Sequence, residues 1–184
     1  MRIGSVTKTF TATAVLQLVD RKTVRLDDPI AKYVRGVPQG HRVTLRHLLG
    51  MRSGLAEYMA DPDWGRAWAT NPHRKWKPSE LLPYAFKHSP ESAPGTKYQY
   101  RNTNYVLLGM VVEKASGESL GSHLRHHVAE AARLRHTVLP KDAEFPAPNA
   151  RGCTGDPVND TDRPTPVICP RSHRTCAGRA LSVM

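Results

Sequence analysis

"RIGSVTKTFTATAVLQLVD", residues 2–20, is the stretch from which the rest of the chain is read. From Val6 to Arg21 it has neither Gly nor Pro, and Val6, Phe10, Ala14 and Leu18 recur every four residues. That is the spacing of one helix face. Val15, Leu16 and Val19 widen the face into an arc, which predicts a helix buried on most sides. Lys8 falls in the first turn of this helix and Ser5 one turn before it, on the same side. A buried ammonium is costly unless it is paired or has a task. A serine hydroxyl is a weak nucleophile until a base takes its proton, and a neutral amine is one such base. The start of a helix also presents backbone N–H groups, so the Ser5 N–H is placed to donate to a developing oxyanion. The same residues fit a plainer role, with Ser5 as a helix cap and Lys8 solvated in the first turn.

At 184 residues the chain suits one domain, and its 39% hydrophobic and 23% charged content argues against global disorder. The formal charge of +11 would suit a phosphate-bearing partner. The basic residues are scattered, however (Lys22, Arg25, Lys32, Arg35, Arg42, Arg46, Arg52), without a block or interleaved aromatics. No specific nucleic-acid partner is expected. No stretch reaches the ~18 apolar residues of a membrane helix, and no basic, apolar and small-residue succession opens the chain.

Further along, "RLDDPIAKYV" (25–34) reads as a loop and short turn, because Pro29 restrains Asp28 to an extended shape. Thr44 caps a short helix over 44–51, ended by Ser53-Gly54. Residues 61–78 hold Pro62, Pro72, Pro78 and all three tryptophans, and read as an irregular wrap. Ser79 is expected to cap "ELLPYAFKH", with Pro83 in or near its first turn. "APGTKYQY" (93–100) is a turn and an extended piece. "NTNYVLLGMVVEKASG" (102–117) is a second strong helix closed by Gly117, and Ser119 starts an amphipathic stretch ending near Leu134.

Just before that second helix, Tyr100 and Asn102 form a Y-x-N triplet. A phenol beside a lysine can relay protons, and an amide can grip a carbonyl. An aromatic strand end followed by an Asn cap accounts for the triplet equally well.

"RIGSVTKTFTATAVLQLVD", "RLDDPIAKYV", "VTLRHLLGMRSGL" and "PGTKYQYRNTNYVLLGMVVEKASG" together resemble the penicillin-recognising serine enzymes, in the branch of class C β-lactamases and D-alanyl-D-alanine carboxypeptidases. The resemblance spans about residues 2–150. It implies an α+β fold of the β-lactamase/transpeptidase type. It implies Ser5 as acylated nucleophile, Lys8 as its proton partner, Tyr100 as base, and Asn102 as a contact to substrate and to Lys8. The implied substrates are β-lactams, D-Ala-D-Ala peptides or esters, with no metal or organic cofactor, and the family's members are usually exported.

Some features depart from the family's pattern. After Asn102 there is neither K-T-G nor H-x-G, the third motif, whose strand supplies the second oxyanion donor. The resemblance also places a helix and paired strands before the nucleophile, which are expected to be missing here, since only four residues precede Ser5. Arg101 stands where a small residue is usual, "GMRSG" replaces a His-Thr-Ser-Gly run, and "EAARLRHT" replaces Pro-Leu-Gly-Leu. The expectation is therefore the mostly helical middle of the fold, residues 1–150. Residues 151–184, which hold Cys153, Cys169, Cys176 and four prolines, read as an irregular tail, disordered or out of frame, of a truncated product. A non-catalytic truncated fragment or binding module is the alternative reading, and a basic nucleic-acid-binding protein a weaker one. Two sets, His123, His126 and His127, and Cys169, His173 and Cys176, suggest zinc, but neither supplies four well-spaced ligands.

Overall fold

A computed structural model of the chain describes residues 3–72 and 74–140, and beyond them the backbone of two short strands. The first helix forms where the apolar period lies. A 3-10 turn, Gly4–Val6, leads into α1, Thr7–Asp20. Gly4 takes a φ of +52°, which opens the turn at no side-chain cost. Ala14, Val15 and Leu18 are buried, while Val6 and Leu16 remain exposed, so the arc is covered on one side only.

The loop after α1 carries a 3-10 turn, Ile30–Lys32, and an isolated bridge between Pro29 and Thr44. Helix α2, Leu45–Leu49, follows; the Thr44 hydroxyl accepts the His47 N–H at 3.3 Å, as the cap predicts. Residues 61–78 differ from the expected wrap, because they hold α3, Pro62–Thr70. Pro62 sits at a first helical position that needs no N–H, and the Asp61 carboxylate caps the Asp63 and Trp64 N–H groups at 2.9 and 3.1 Å. Proline opened a helix here where it was read as a breaker.

Helix α4, Pro78–Phe86, starts at Pro78, with Ser79 inside the first turn. Its start is held by Glu80, which accepts the Lys77 N–H at 2.7 Å, so Ser79 is not the cap. Pro83 lies inside the helix, beyond the first turn. Helix α5, Asn102–Ser116, ends at Gly117, whose φ of +75° is the left-handed C-terminal stop. Ser119 caps α6, Leu120–His123, which widens into a π-helix over Leu124–Ala129.

Helix α5 is the centre of the molecule. Val106, Leu107, Leu108, Val111 and Val112 are almost wholly buried, against α1, α2, α4 and α6. Each such side chain contributes about 1.5–3 kcal/mol relative to exposure. The predicted Tyr105, Leu108 and Val112 face is therefore part of a helix enclosed on nearly every side. Among the described residues no helix is long and apolar enough to cross a membrane. The strands β1, Val167–Ile168, and β2, Thr175–Cys176, pair antiparallel. The rest of the tail expected over 151–184, with Cys153 and the Cys169–His173 part of the cysteine set, lies outside the described residues.

Candidate active site

Two stretches of chain far apart in sequence, residues 5–8 and 100–102, bring the four sequence-predicted residues together. Ser5 stands in the 3-10 turn before α1, Lys8 in the first turn of α1, Tyr100 at the end of an extended piece, and Asn102 at the first position of α5. The extended piece is held to the core where the Gln99 N–H donates to the Met51 carbonyl at 2.8 Å.

Lys8 is 6% exposed, and its Nζ donates to Ser5 Oγ at 3.1 Å and to Asn102 Oδ1 at 2.7 Å. The Tyr100 hydroxyl donates to the same Ser5 oxygen at 2.8 Å. Lys8 Nζ also lies 5.0 Å from the Tyr100 ring centre and 5.9 Å from that of Tyr105. The buried amine is thus hydrogen-bonded and faced by aromatic rings, as burial of a polar group requires.

Burial works against ionisation of the Tyr100 phenol, and the charge of Glu57 does the same. Hydrogen bonds with Lys8 and Ser5, and the Lys8 charge, outweigh both, so its pKa falls below that of an ordinary tyrosine. A phenol lowered in this way is a better base at a given pH. Arg101, read from sequence as a charge beside this base, is turned instead to Glu91, 2.5 Å away.

Asn102 is positioned by a residue that has no role in the sequence reading. The Asn102 N–H donates to Glu57, whose other oxygen accepts the Met59 N–H at 3.2 Å. Glu57 lies two residues past the end of the "VTLRHLLGMRSGL" block and 45 residues from Asn102, and no local spacing joins them. Behind it, the Thr103 hydroxyl donates to the Ala56 carbonyl at 2.8 Å and accepts the Tyr58 N–H at 3.1 Å. The Ser53 hydroxyl donates to Asn104 Oδ1 at 2.5 Å. Loop 51–58 and the start of α5 are therefore tied by buried polar groups that satisfy one another.

Over residues 1–178 the sequence matches the family model Beta-lactamase. The chain belongs to that family. The match runs past residue 150, where the sequence resemblance ends. A D-stereospecific amidohydrolase from a Streptomyces species is similar in fold to this β-lactamase family chain. Its TM-score is 0.79 at 34% identity, over 84% of this chain and 49% of that one. D-amino acid amidase from Ochrobactrum anthropi SV3, complexed with L-phenylalanine, gives 0.70 at 30% identity, over 83% and 43%. Penicillin-binding protein 4* of Bacillus subtilis (strain 168) is 31% identical over 139 residues, which are 73% of this chain and 29% of that relative. The chain spans about a third of the length of the curated relatives it matches. The fold is β-lactamase/transpeptidase-like, and the described part of it is mostly helical.

Proposed function

We propose that this chain carries the acylation centre of a serine acyl hydrolase, with Ser5 as nucleophile, Lys8 as its proton partner, Tyr100 as base and Asn102 as the residue that fixes Lys8 and contacts substrate. The observation that carries the reading is the convergence of Lys8 Nζ and the Tyr100 hydroxyl on Ser5 Oγ, at 3.1 and 2.8 Å. In the first step Ser5 Oγ attacks a carbonyl carbon while its proton passes to ionised Tyr100. The bond from that carbon to nitrogen or oxygen then breaks, and the proton goes to the leaving amine or alcohol. Water adds to the acyl-enzyme by the same route in reverse, releasing a carboxylic acid and restoring the Ser5 hydroxyl.

The relatives named for D-stereospecific amide hydrolysis support a substrate class of small amides, peptides or esters with a D-configured acyl group. The family's α+β architecture is extended to this chain on the same basis, with residues 1–150 as the hydrolase-related part and 151–184 as a distinct tail. A second reading, a non-catalytic binding module, is favoured by one observation. Ser5 and Val6 are exposed and Tyr100 is 45% exposed, so the site stands open on one side.

A fluorescent penicillin and a fluorophosphonate separate the two. Covalent labelling of the full chain that is lost in Ser5→Ala, with an unchanged circular dichroism spectrum, supports the acyl hydrolase. No labelling of folded wild-type protein by either probe rules it out and leaves the binding module.

A further inference from the structure

The far end of α1 faces a second cluster of reactive side chains. His123 closes α6 and is only 1% exposed, yet neither of its ring nitrogens has a hydrogen-bond partner. Buried imidazoles almost always find one, so this ring is aimed at something that accepts or donates a lone pair. His127 lies one turn on, with the two rings 4.5 Å apart between centres. Glu118, in the turn before α6, reaches back so that its Oε1 is 3.2 Å from His127 Nε2. One ligand atom from each of Glu118, His123 and His127 lies within 4.8 Å of the others. The helix changes to π spacing at Leu124–Ala129, immediately after His123, a widening found frequently at functional sites.

We propose that Glu118, His123 and His127 form a binding site for a divalent transition-metal ion, with Zn²⁺ the best match to two imidazoles and a carboxylate. Three protein ligands leave a fourth tetrahedral position for water. The ion gives one ring nitrogen of His123 the partner that no hydrogen bond supplies. His126, grouped with these histidines by sequence spacing, takes no part; its Nδ1 lies 3.3 Å from the Ser122 hydroxyl. Glu118 comes from outside the helical repeat, so three histidines in sequence gave the wrong third ligand. The site is structural in position. The Gln17 side-chain amide donates to the His127 carbonyl at 2.8 Å, about 14 Å along α1 from Lys8. Bound metal therefore clamps the turn after α5 to the helix that packs on the end of α1. The Arg21 charge also reaches His123 and opposes a cation there, against which the Glu118 carboxylate acts.

The test is Co²⁺ titration of the full, metal-stripped chain, read by visible d–d absorption, followed by Zn²⁺ competition. The expected result is a single equivalent bound with the intense bands of a low-coordinate site, displaced by Zn²⁺. His127→Ala and Glu118→Gln, both at partly exposed side chains, are expected to weaken binding by at least about 100-fold, the upper end for losing a mere outer-sphere partner. His126→Ala is expected to leave it unchanged. Absence of the bands overturns the proposal. So does binding that persists in His127→Ala and Glu118→Gln, which would put the ion on other side chains.

Discussion

The surroundings of Ser5 have two unlike sides. On the inner side Lys8, Thr103, Asn104 and Ser53 are buried and Asn102 is partly so, and each of these residues meets a named hydrogen-bond partner. On the outer side Ser5, Val6, Tyr98 and Tyr100 face solvent, Val6 at 58% and Tyr98 at 60% exposure. On the proposed reading the inner side fixes where the proton-transfer groups stand, while the outer side, where a substrate would approach, has little to hold one. On that reading catalytic geometry and substrate enclosure are supplied by different segments.

The strongest test of the inner side is Lys8→Ala. Loss of a positioned proton-transfer group lowers rates by about 10²–10⁴-fold, and the labelling rate with fluorescent penicillin is expected to fall in that range. The same experiment carries a pH signature. Acylation needs ionised Tyr100, so the rate rises with pH through the lowered pKa of that phenol, below the ordinary ~10. In Lys8→Ala the rise moves to higher pH; an unmoved profile means that Tyr100 is not the base.

Next in size is the loop that backs the site. Gly54 has a φ of +75°, and a Cβ there would meet the Ser92 carbonyl oxygen at 2.1 Å. Gly54→Ala is expected to cost about 1–3 kcal/mol or more in urea unfolding, and to reduce labelling through displacement of loop 51–58. Asn104→Leu removes the acceptor of the buried Ser53 hydroxyl, and is expected to cost about 1–3 kcal/mol. If either variant keeps wild-type stability, the inner side is not rigid and the comparison fails.

How much of this was legible in sequence depends on distance along the chain. The helix from Val6 and the α5 helix followed from local period, and the Thr44 cap from one side chain and its next turn. Ser5 and Lys8 lie three residues apart, so the sequence alone puts them on one face. Helix α3 was missed because the three prolines of 61–78 were read as marks of an irregular wrap, although Asp61 followed by Pro62 is a helix start signal. Glu57 was missed because its partner is 45 residues away, and only chain reversal through the core joins them.

Asp61 supplies a smaller, pH-dependent effect. Burial opposes its ionisation, but hydrogen bonds from Lys87, His88 and the Trp64 N–H outweigh it and hold its pKa well below the usual carboxylate range. A group depressed in the folded state contributes stability above its unfolded pKa near ~4, and that stability is lost as pH falls below it. Thermal melts from neutral to acid pH are expected to show this decline in wild type and a shallower one in Asp61→Asn. The smallest effect belongs to the outer side. Val6→Ser is expected to change stability by no more than about 0.5 kcal/mol, while reducing concentration-dependent scattering.

By itself the sequence determined the helices around Ser5 and the identity of the chemical groups beside it. Those depend on side-chain type and on spacings within a few turns, and such spacings survive in any fold that keeps the helix. The tertiary structure alone decided that Lys8 is shared between Ser5 and Asn102, that Arg101 turns away to Glu91, and that Glu118 joins His123 and His127. Each of those contacts depends on how far a side chain reaches once distant backbone segments have packed, and packing is set by the whole core at once.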